Sequence, residues 1–131
     1  MVLTYLWVAL GGALGSMARF WMGGWIAGLI KPDFAGPTFP WSTLVINVLG
    51  SLVIGLVAGL TLTPARVAWH PDVRIFLMVG ICGGFTTFSA FSLQTLELIQ
   101  AGDSGAVAGY IIGSVVLCVA ATWAGAMLVR L

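Results

Sequence analysis

Apolar residues fill four long stretches of this chain, and short polar segments separate them. The stretches cover about residues 3–30, 42–61, 73–100 and 106–128. Because a helix needs about 20 predominantly apolar residues to cross a bilayer, each stretch is long enough for one crossing. The first separating segment, residues 31–40, holds three prolines and a glycine, which end a helix. The pattern predicts an all-α membrane protein with four transmembrane helices.

Composition supports this class and limits the partners. Of 131 residues, 60% are hydrophobic and 7% are charged, a balance typical of membrane proteins. Four crossings use nearly the whole chain, so we expect a single transmembrane domain over residues 1–131, with the lipid bilayer as its surroundings. The net charge of +1 indicates no nucleic-acid partner. The two cysteines, Cys82 and Cys118, lie in predicted helices and are expected to pack as small apolar residues.

The third stretch contains a signal for interrupted backbone. No charged residue occurs from Ile75 to Leu96, yet the middle of this range holds Gly83-Gly84 and Thr86-Thr87. Two adjacent glycines weaken a helix by roughly 1 kcal/mol each. Backbone groups freed inside a membrane need protein, water or an ion as partners. We therefore predict that the third helix is broken over Gly83–Thr87 and presents backbone groups to an ion.

Polar side chains recur every four residues in two other stretches. In the second, Asn47 and Ser51 are followed by Gly55 and Gly59, so these residues share one face. Asn47 either bonds to another helix or faces a pore. In the fourth, a polar track runs through Tyr110, Ser114, Cys118 and Thr122. Its hydroxyls either form such a track or bond back to their own helix.

The basic residues are almost evenly divided between the two ends of the predicted bundle. Arg66, Arg74 and Arg130 lie on the side of the termini. Lys31 lies on the other side, together with Arg19 if it faces that way. Because orientation follows the lysine and arginine bias, such a chain could insert in both directions. Two oppositely inserted copies would form a two-fold dimer. A backbone break on that axis would surround one point with carbonyl oxygens, which are ligands for hard cations.

The chemistry available inside the helices favours an anion path. The chain has no Ser/His/Asp or Cys/His set and no phosphate-binding loop, so we expect no enzymatic activity. The helices also lack the interior carboxylates of cation carriers. Phe88 and Phe91 are three residues apart and could present positive ring edges to an anion, although such pairs also occur in cores and on lipid-facing surfaces. Arg19 is either a helix-end anchor or a positive group in an anion vestibule.

Four segments of the sequence carry a family resemblance. They are Gly83-Gly84-Phe85-Thr86-Thr87-Phe88-Ser89-Ala90-Phe91-Ser92, the glycine run from Gly11 to Arg19, the segment from Pro40 to Asn47, and Tyr110 with Ser114. Together they resemble the Fluc (CrcB) fluoride channels of bacteria. The resemblance covers nearly the whole chain, and the third-helix motif is its most specific part.

This resemblance implies an antiparallel, dual-topology homodimer with two fluoride pores, located as a multi-pass protein in the bacterial inner membrane. It implies passive export of fluoride. It also implies a structural sodium ion on the dimer axis, held by backbone oxygens of Gly83 and Thr86. The residues that it assigns to the fluoride pore are Asn47, Thr87, Phe88, Ser89, Phe91, Tyr110 and Ser114. Arg19 would attract anions at the vestibule.

The chain departs from the family pattern at Ser42, Ala90, Gln94 and Cys118, which affects fine ion coordination more than function. Two other functions are weighed against the channel. A small proton-coupled four-helix multidrug exporter would need a membrane-embedded glutamate in the first helix, and this stretch has none. A non-transporting membrane scaffold is the third possibility.

Overall fold

A computed structural model describes residues 2–30, 39–62 and 69–129 of the chain. Within these ranges the backbone is almost entirely helical and contains no strand. Lys31, Arg66 and Arg130, which enter the predicted charge balance, lie outside the described residues, as does most of the proline-rich loop.

The helices follow the four apolar stretches. The first is α1 (Val2–Leu29) and the second is α2 (Trp41–Leu62). The third stretch is divided into α3 (Pro71–Arg74), a π-helical segment (Ile75–Cys82), α4 (Gly83–Phe85) and α5 (Phe88–Gln100). The fourth is α6 (Ser104–Leu128). We call residues 71–85 the first half-helix and α5 the second half-helix.

Three of the described helical segments are long and apolar enough to cross a membrane. They are Trp41–Thr61, Pro71–Gln100 and Ser104–Leu128. α1 is 28 residues long but is not among them. The glycines, the tryptophans and Arg19 of α1 lower its mean hydropathy below that of the other three segments.

Glycines bring α2 and α6 into the most extensive helix contact of the described chain. A Cβ atom added to Gly125 would lie 2.8 Å from the backbone nitrogen of Leu56, and one added to Gly59 would lie 2.8 Å from the carbonyl oxygen of Ala126. Small residues at these points let the two backbones approach closely, as is usual for helices that pack in lipid.

The first half-helix packs against α1 in the same manner. A Cβ atom on Gly11 would lie 2.7 Å from the carbonyl oxygen of Phe76 and 2.8 Å from the Cα atom of Gly80. Both Phe76 and Gly80 belong to the π-helical segment. Gly11 therefore leaves room for this backbone against α1. Short π-helical stretches occur often near functional sites.

A tight polar turn joins α5 to α6, as the sequence predicts. Gly102 has a φ of 77° and donates its N–H to the carbonyl oxygen of Ile99 at 3.0 Å. This left-handed glycine closes the end of α5. Asp103 then caps α6 by accepting the N–H of Ala106 at 2.9 Å.

Large apolar side chains cover much of the outer surface. Phe20 is 87% exposed, Val119 66% and Ile112 62%. A water-soluble monomer rarely leaves so many large apolar groups uncovered. This surface is suited to lipid contact, in agreement with the three apolar segments.

Candidate functional site

The third stretch is broken at two residues. Thr86 (φ −83°, ψ 158°) and Thr87 (φ −151°, ψ 118°) are extended and separate α4 from α5. The predicted break over Gly83–Thr87 was therefore too wide. Gly83 stays helical with φ −64° and ψ −38°, and a Cβ atom on Gly84 would lie 2.6 Å from the carbonyl oxygen of Gly12. Gly84 therefore serves close packing against α1 rather than opening the helix.

The Asn47 side chain of α2 forms hydrogen bonds with both backbone polar groups of Thr87, at the break. Its Oδ1 accepts the backbone N–H of Thr87 at 2.8 Å, and its Nδ2 donates to the carbonyl oxygen of Thr87 at 3.1 Å. The sequence left open whether Asn47 bonds to another helix or faces a pore. The structure shows the bond to another segment, and the same side chain also lines the groove described below.

The carbonyl oxygens of Gly83 and Thr86 are among those at the break that lose the donors a continuous helix would provide. The helical donor for Gly83 is the Thr87 N–H, which bonds to Asn47 instead. The helical donor for Thr86 is the Ala90 N–H, which bonds to the Thr87 hydroxyl at 3.2 Å. The carbonyls released by these exchanges belong to the two residues predicted to hold a cation.

The side chains of α1 act on a third carbonyl at the break. Arg19 donates from Nε to the carbonyl oxygen of Gly84 at 3.2 Å, and Ser16 donates from Oγ to the same oxygen at 3.4 Å. Arg19 is half-buried. It is thus engaged with the first half-helix, and it does not line the groove described next.

A groove of about 450 Å³ opens beside the break. It brings together most of the predicted site, and the predicted residues in its lining are Asn47, Gly83, Thr86, Thr87, Phe88, Phe91 and Ser114. Tyr110, Ser89 and Arg19 are not in this lining. Sequence reasoning did not assign Gly50, Ser51, Met78, Cys82 or Cys118 to the site, although all five line the groove. Ser51 could have been found from its four-residue spacing to Asn47.

Aromatic rings lead from the groove into the bundle. Phe88 is 77% exposed, and its ring lies 5.2 Å from that of Phe91 at an angle of 44°. The Phe91 ring lies 5.1 Å from that of Tyr110 at 46°. Tyr110 is fully buried and donates its hydroxyl to Oε1 of Gln94 at 2.8 Å. Phe88 is therefore an uncovered ring at the open side of the groove, and Tyr110 is a buried ring behind it.

The polar track on α6 divides into two kinds of hydroxyl. Thr122 donates its hydroxyl to the carbonyl oxygen of Cys118 at 3.0 Å. This side chain therefore bonds back to its own helix, which is one of the two alternatives that the sequence left open. Ser114 is 7% exposed, and its Oγ has no hydrogen-bond partner among the described residues. Because a buried hydroxyl without a partner is costly, Ser114 is available to a ligand in the groove.

Two hydroxyls are close together at the start of α5, that of Thr87 in the groove lining and that of Ser89 outside it. The Oγ1 of Thr87 and the Oγ of Ser89 are 3.2 Å apart, and Ser89 is exposed. Outside this region, His70 caps α3 by accepting the Asp72 N–H at 3.3 Å. Among the described residues, no three His, Cys, Asp or Glu side chains come together to hold a metal ion.

Comparison with known proteins supports the resemblance seen in the motifs. Residues 6–126 match the family model described as CrcB-like protein, Camphor Resistance (CrcB). The chain is 54% identical to the fluoride-specific ion channel FluC of Rhodospirillum rubrum over 123 residues, 94% of this chain and 92% of that protein. It is 51% identical to the FluC channel of Opitutus terrae over 121 residues, covering 92% and 88%. It is 53% identical to that of Paramagnetospirillum magneticum over 124 residues, covering 95% and 93%.

Proposed function

This chain belongs to the CrcB-like family, and from that membership we propose that it is a passive fluoride-selective channel that carries fluoride out of the cytoplasm. The family consists of ion channels and not enzymes, and the three apolar helical segments make the chain an integral membrane protein. We propose α1 as the fourth crossing. Its 28 residues extend about 42 Å, which is enough to span the hydrocarbon core.

The groove beside the break is the proposed conduction path. Phe88 and Phe91 offer positive ring edges, and Ser114 offers a buried hydroxyl. Asn47 has two amide hydrogens, of which one is donated to Thr87, so the second remains for an anion. Fluoride is strongly hydrated, so a narrow path must replace water with such donors. Ser89 and Tyr110 flank this path, on the open side and the buried side.

An antiparallel homodimer would complete the groove. One chain leaves Phe88 largely exposed and Gly83 at the surface. A second copy, inserted in the opposite direction, would cover both and give two pores related by a two-fold axis. A tag on the C-terminus should then be accessible from both sides of the membrane, and its exposure on one side alone would contradict the antiparallel arrangement.

A structural sodium ion on that axis fits the donor set. Gly83 and Thr86 have carbonyl oxygens released from helical bonding, and carbonyl oxygens suit hard cations. Both residues line the groove. The ion would supply positive charge and replace the missing donors for these oxygens. Two copies would contribute four such carbonyls.

Voltage alone can drive export through this path. Hydrogen fluoride enters a cell as a neutral molecule and releases fluoride inside. A membrane potential that is negative inside then favours outward movement by about 2.3 kcal/mol per charge for each 100 mV. Among the described residues that line the groove there is no carboxylate to couple transport to protons.

The observation that carries this proposal is the meeting of Asn47, Phe88 and Ser114 in one groove at the helix break. The test is fluoride efflux from liposomes that contain the purified protein. We expect rapid fluoride flux with chloride excluded. Phe88→Leu or Asn47→Ala should reduce flux by roughly tenfold or more, the change that about 1.4 kcal/mol of lost ion stabilisation produces.

The matched control is Phe20→Leu, since Phe20 is an 87% exposed ring on α1 outside the groove. It should leave flux unchanged, and all variants should still assemble as dimers. Normal flux in both the Phe88 and the Asn47 variant would contradict the pore assignment. Proton-driven cation exchange would instead indicate an exporter, and no flux of any kind a scaffold.

A further inference from the structure

Arg19 has one specific hydrogen bond that its expected vestibule role does not explain. Its Nε lies 3.2 Å from the carbonyl oxygen of Gly84, next to the last residue of α4. In a continuous helix this oxygen would accept the N–H of Phe88. Here Phe88 lies beyond the extended Thr86 and Thr87. The Arg19 Nε–H thus replaces the Phe88 N–H as a hydrogen-bond donor to the Gly84 carbonyl.

Glycine packing places Arg19 at this carbonyl. A Cβ atom on Gly15 would lie 2.8 Å from the backbone nitrogen of Phe85 and 3.1 Å from the carbonyl carbon of Gly84. Gly15 and Arg19 are four residues apart, so they share one face of α1. The close approach at Gly15 therefore brings the next turn of α1 against the end of the first half-helix. Ser16 reaches the same oxygen at 3.4 Å.

The Arg19 bond is one of several side-chain hydrogen bonds that replace backbone bonds around the break. Asn47 accepts a hydrogen bond from the Thr87 N–H, and the Thr87 hydroxyl accepts one from the Ala90 N–H. Arg19 and Ser16 occupy the carbonyl of Gly84, which lies next to the released carbonyl of Gly83. A basic side chain at the carboxyl end of a helix also interacts favourably with its dipole. The direction of the neighbouring Gly83 carbonyl thus depends on what holds Gly84.

We propose that Arg19 is a positioning residue that acts through its Nε–H. By holding Gly84 it fixes the end of the first half-helix, and with it the Gly83 carbonyl and the Asn47–Thr87 contact that shape the groove. This inference rests on the proposed channel function. It differs from the vestibule hypothesis in one respect, because it assigns the role to a hydrogen bond and not to the net charge.

Three substitutions separate the donor from the charge. Arg19→Gln keeps a donor nitrogen at the place of Nε, counted along the side chain, and removes the charge. Arg19→Lys keeps the charge but has a methylene group at that place, with its nitrogen one atom farther out. Arg19→Met has similar length and neither property. None of the three side chains is branched at Cβ, so each substitution should perturb helix α1 little.

Fluoride flux is measured in liposomes at low and high ionic strength. We expect Arg19→Gln to stay within about threefold of the native protein, and Arg19→Met and Arg19→Lys to lose about tenfold, because the Gly84 carbonyl then keeps only the longer bond from Ser16 at 3.4 Å. The losses should be the same at both salt concentrations, since salt screens long-range attraction but has little effect on a short-range, partly buried hydrogen bond. A functional Arg19→Lys with an inactive Arg19→Gln, and losses that change with salt, would overturn the proposal in favour of a vestibule charge. Equal behaviour of all three variants would also overturn it.

Hydrogen exchange gives a readout that does not depend on conduction. Peptides that cover residues 80–88 should exchange faster in Arg19→Met than in the native protein, whereas Arg19→Gln should retain native protection. If the native protein conducts no fluoride but this pattern appears, the channel proposal fails and the positioning role stands. If Arg19→Met does not assemble, the comparison of Arg19→Gln with Arg19→Lys still distinguishes the hydrogen bond from the charge. Unchanged exchange in Arg19→Met and Arg19→Lys would overturn the positioning role.

Discussion

At the scale of single residues, polar side chains replace backbone hydrogen bonds at the break. Asn47 is the clearest case, because its amide makes two bonds to the backbone of Thr87. A carboxylate at this position would keep the acceptor and lose the donor. An aliphatic residue would leave both backbone groups of Thr87 unpaired at membrane depth, which costs several kcal/mol per group. The amide is therefore the side chain that the geometry requires.

Tyr110 and Gln94 form a second polar pair. The sequence identified Gln94 only as a departure from the family pattern, at a position where some members carry glutamate, but its Oε1 accepts the Tyr110 hydroxyl at 2.8 Å. Tyr110 is fully buried, so this bond satisfies a hydroxyl that no water reaches. The neutral amide can do so without placing a charge behind the proposed path.

This pair can be tested with a double-mutant cycle. We expect Tyr110→Phe and Gln94→Leu to be non-additive by about 0.5–1.5 kcal/mol in the free energy of unfolding, the usual worth of one hydrogen bond. Equilibrium unfolding of the reconstituted protein measures it. Tyr110→Phe combined with Thr61→Val is the control, because Thr61 bonds within its own helix. Additive effects in the first cycle would show that the bond contributes no coupling.

At the scale of helices, glycines determine how closely the elements approach. Gly11, Gly15 and Gly84 lie where α1 meets the first half-helix, and Gly55, Gly59 and Gly125 lie where α2 meets α6. Backbone atoms fill the space where side chains would be. The contacts with α1 hold the first half-helix from one side, and Asn47 holds Thr87 from the other.

Two glycines of the same helix give a matched test of this packing. A Cβ atom on Gly15 would collide with backbone of the first half-helix, whereas no described atom lies within 4 Å of one on Gly24. Gly15→Ala should lower the free energy of unfolding by about 1–3 kcal/mol and reduce flux. Gly24→Ala should change stability by less than about 1 kcal/mol, towards greater stability, since alanine favours helix.

Thermal or detergent unfolding of both variants measures this difference, and liposome flux measures its effect on conduction. Equal stability of the Gly15 and Gly24 variants would mean that close approach at Gly15 is not required for the fold.

At the scale of the whole molecule, one chain leaves the proposed path incomplete. The groove is open, Phe88 is exposed, and two backbone carbonyls lack their helical donors. These features meet at one place near the middle of the third stretch. A second copy and a cation together would satisfy them, which is the physical basis of the proposed dimer.

Sodium should therefore stabilise the assembled protein. At constant ionic strength, replacing choline with sodium should raise the unfolding temperature of the dimer. An ion present at about a hundred times its dissociation constant adds about 2.7 kcal/mol to the stability of the state that binds it. Thermal denaturation over a sodium series measures this, with Asn47→Ala, which alters the break, expected to respond less. An unfolding temperature that is the same in choline and sodium would contradict the sodium site.

The sequence by itself determined the membrane class, the helices and the approximate place of the break. These follow from local properties, because a long apolar stretch forms a helix in lipid whatever lies beside it. The family motifs also indicated nearly half of the residues that line the groove, among them Asn47, Phe88 and Ser114. A polar residue in an apolar stretch is informative because its burial is costly.

Only the tertiary structure decided which backbone groups the break releases and what replaces them. The opening falls at Thr86 and Thr87, and not at the glycines, because Gly84 packs against α1 while Asn47, 40 positions earlier in the chain, binds Thr87. Arg19 likewise bonds to Gly84, 65 positions away. The place where a helix stops depends on which outside donors and acceptors come within hydrogen-bond distance, and that depends on how the helices pack.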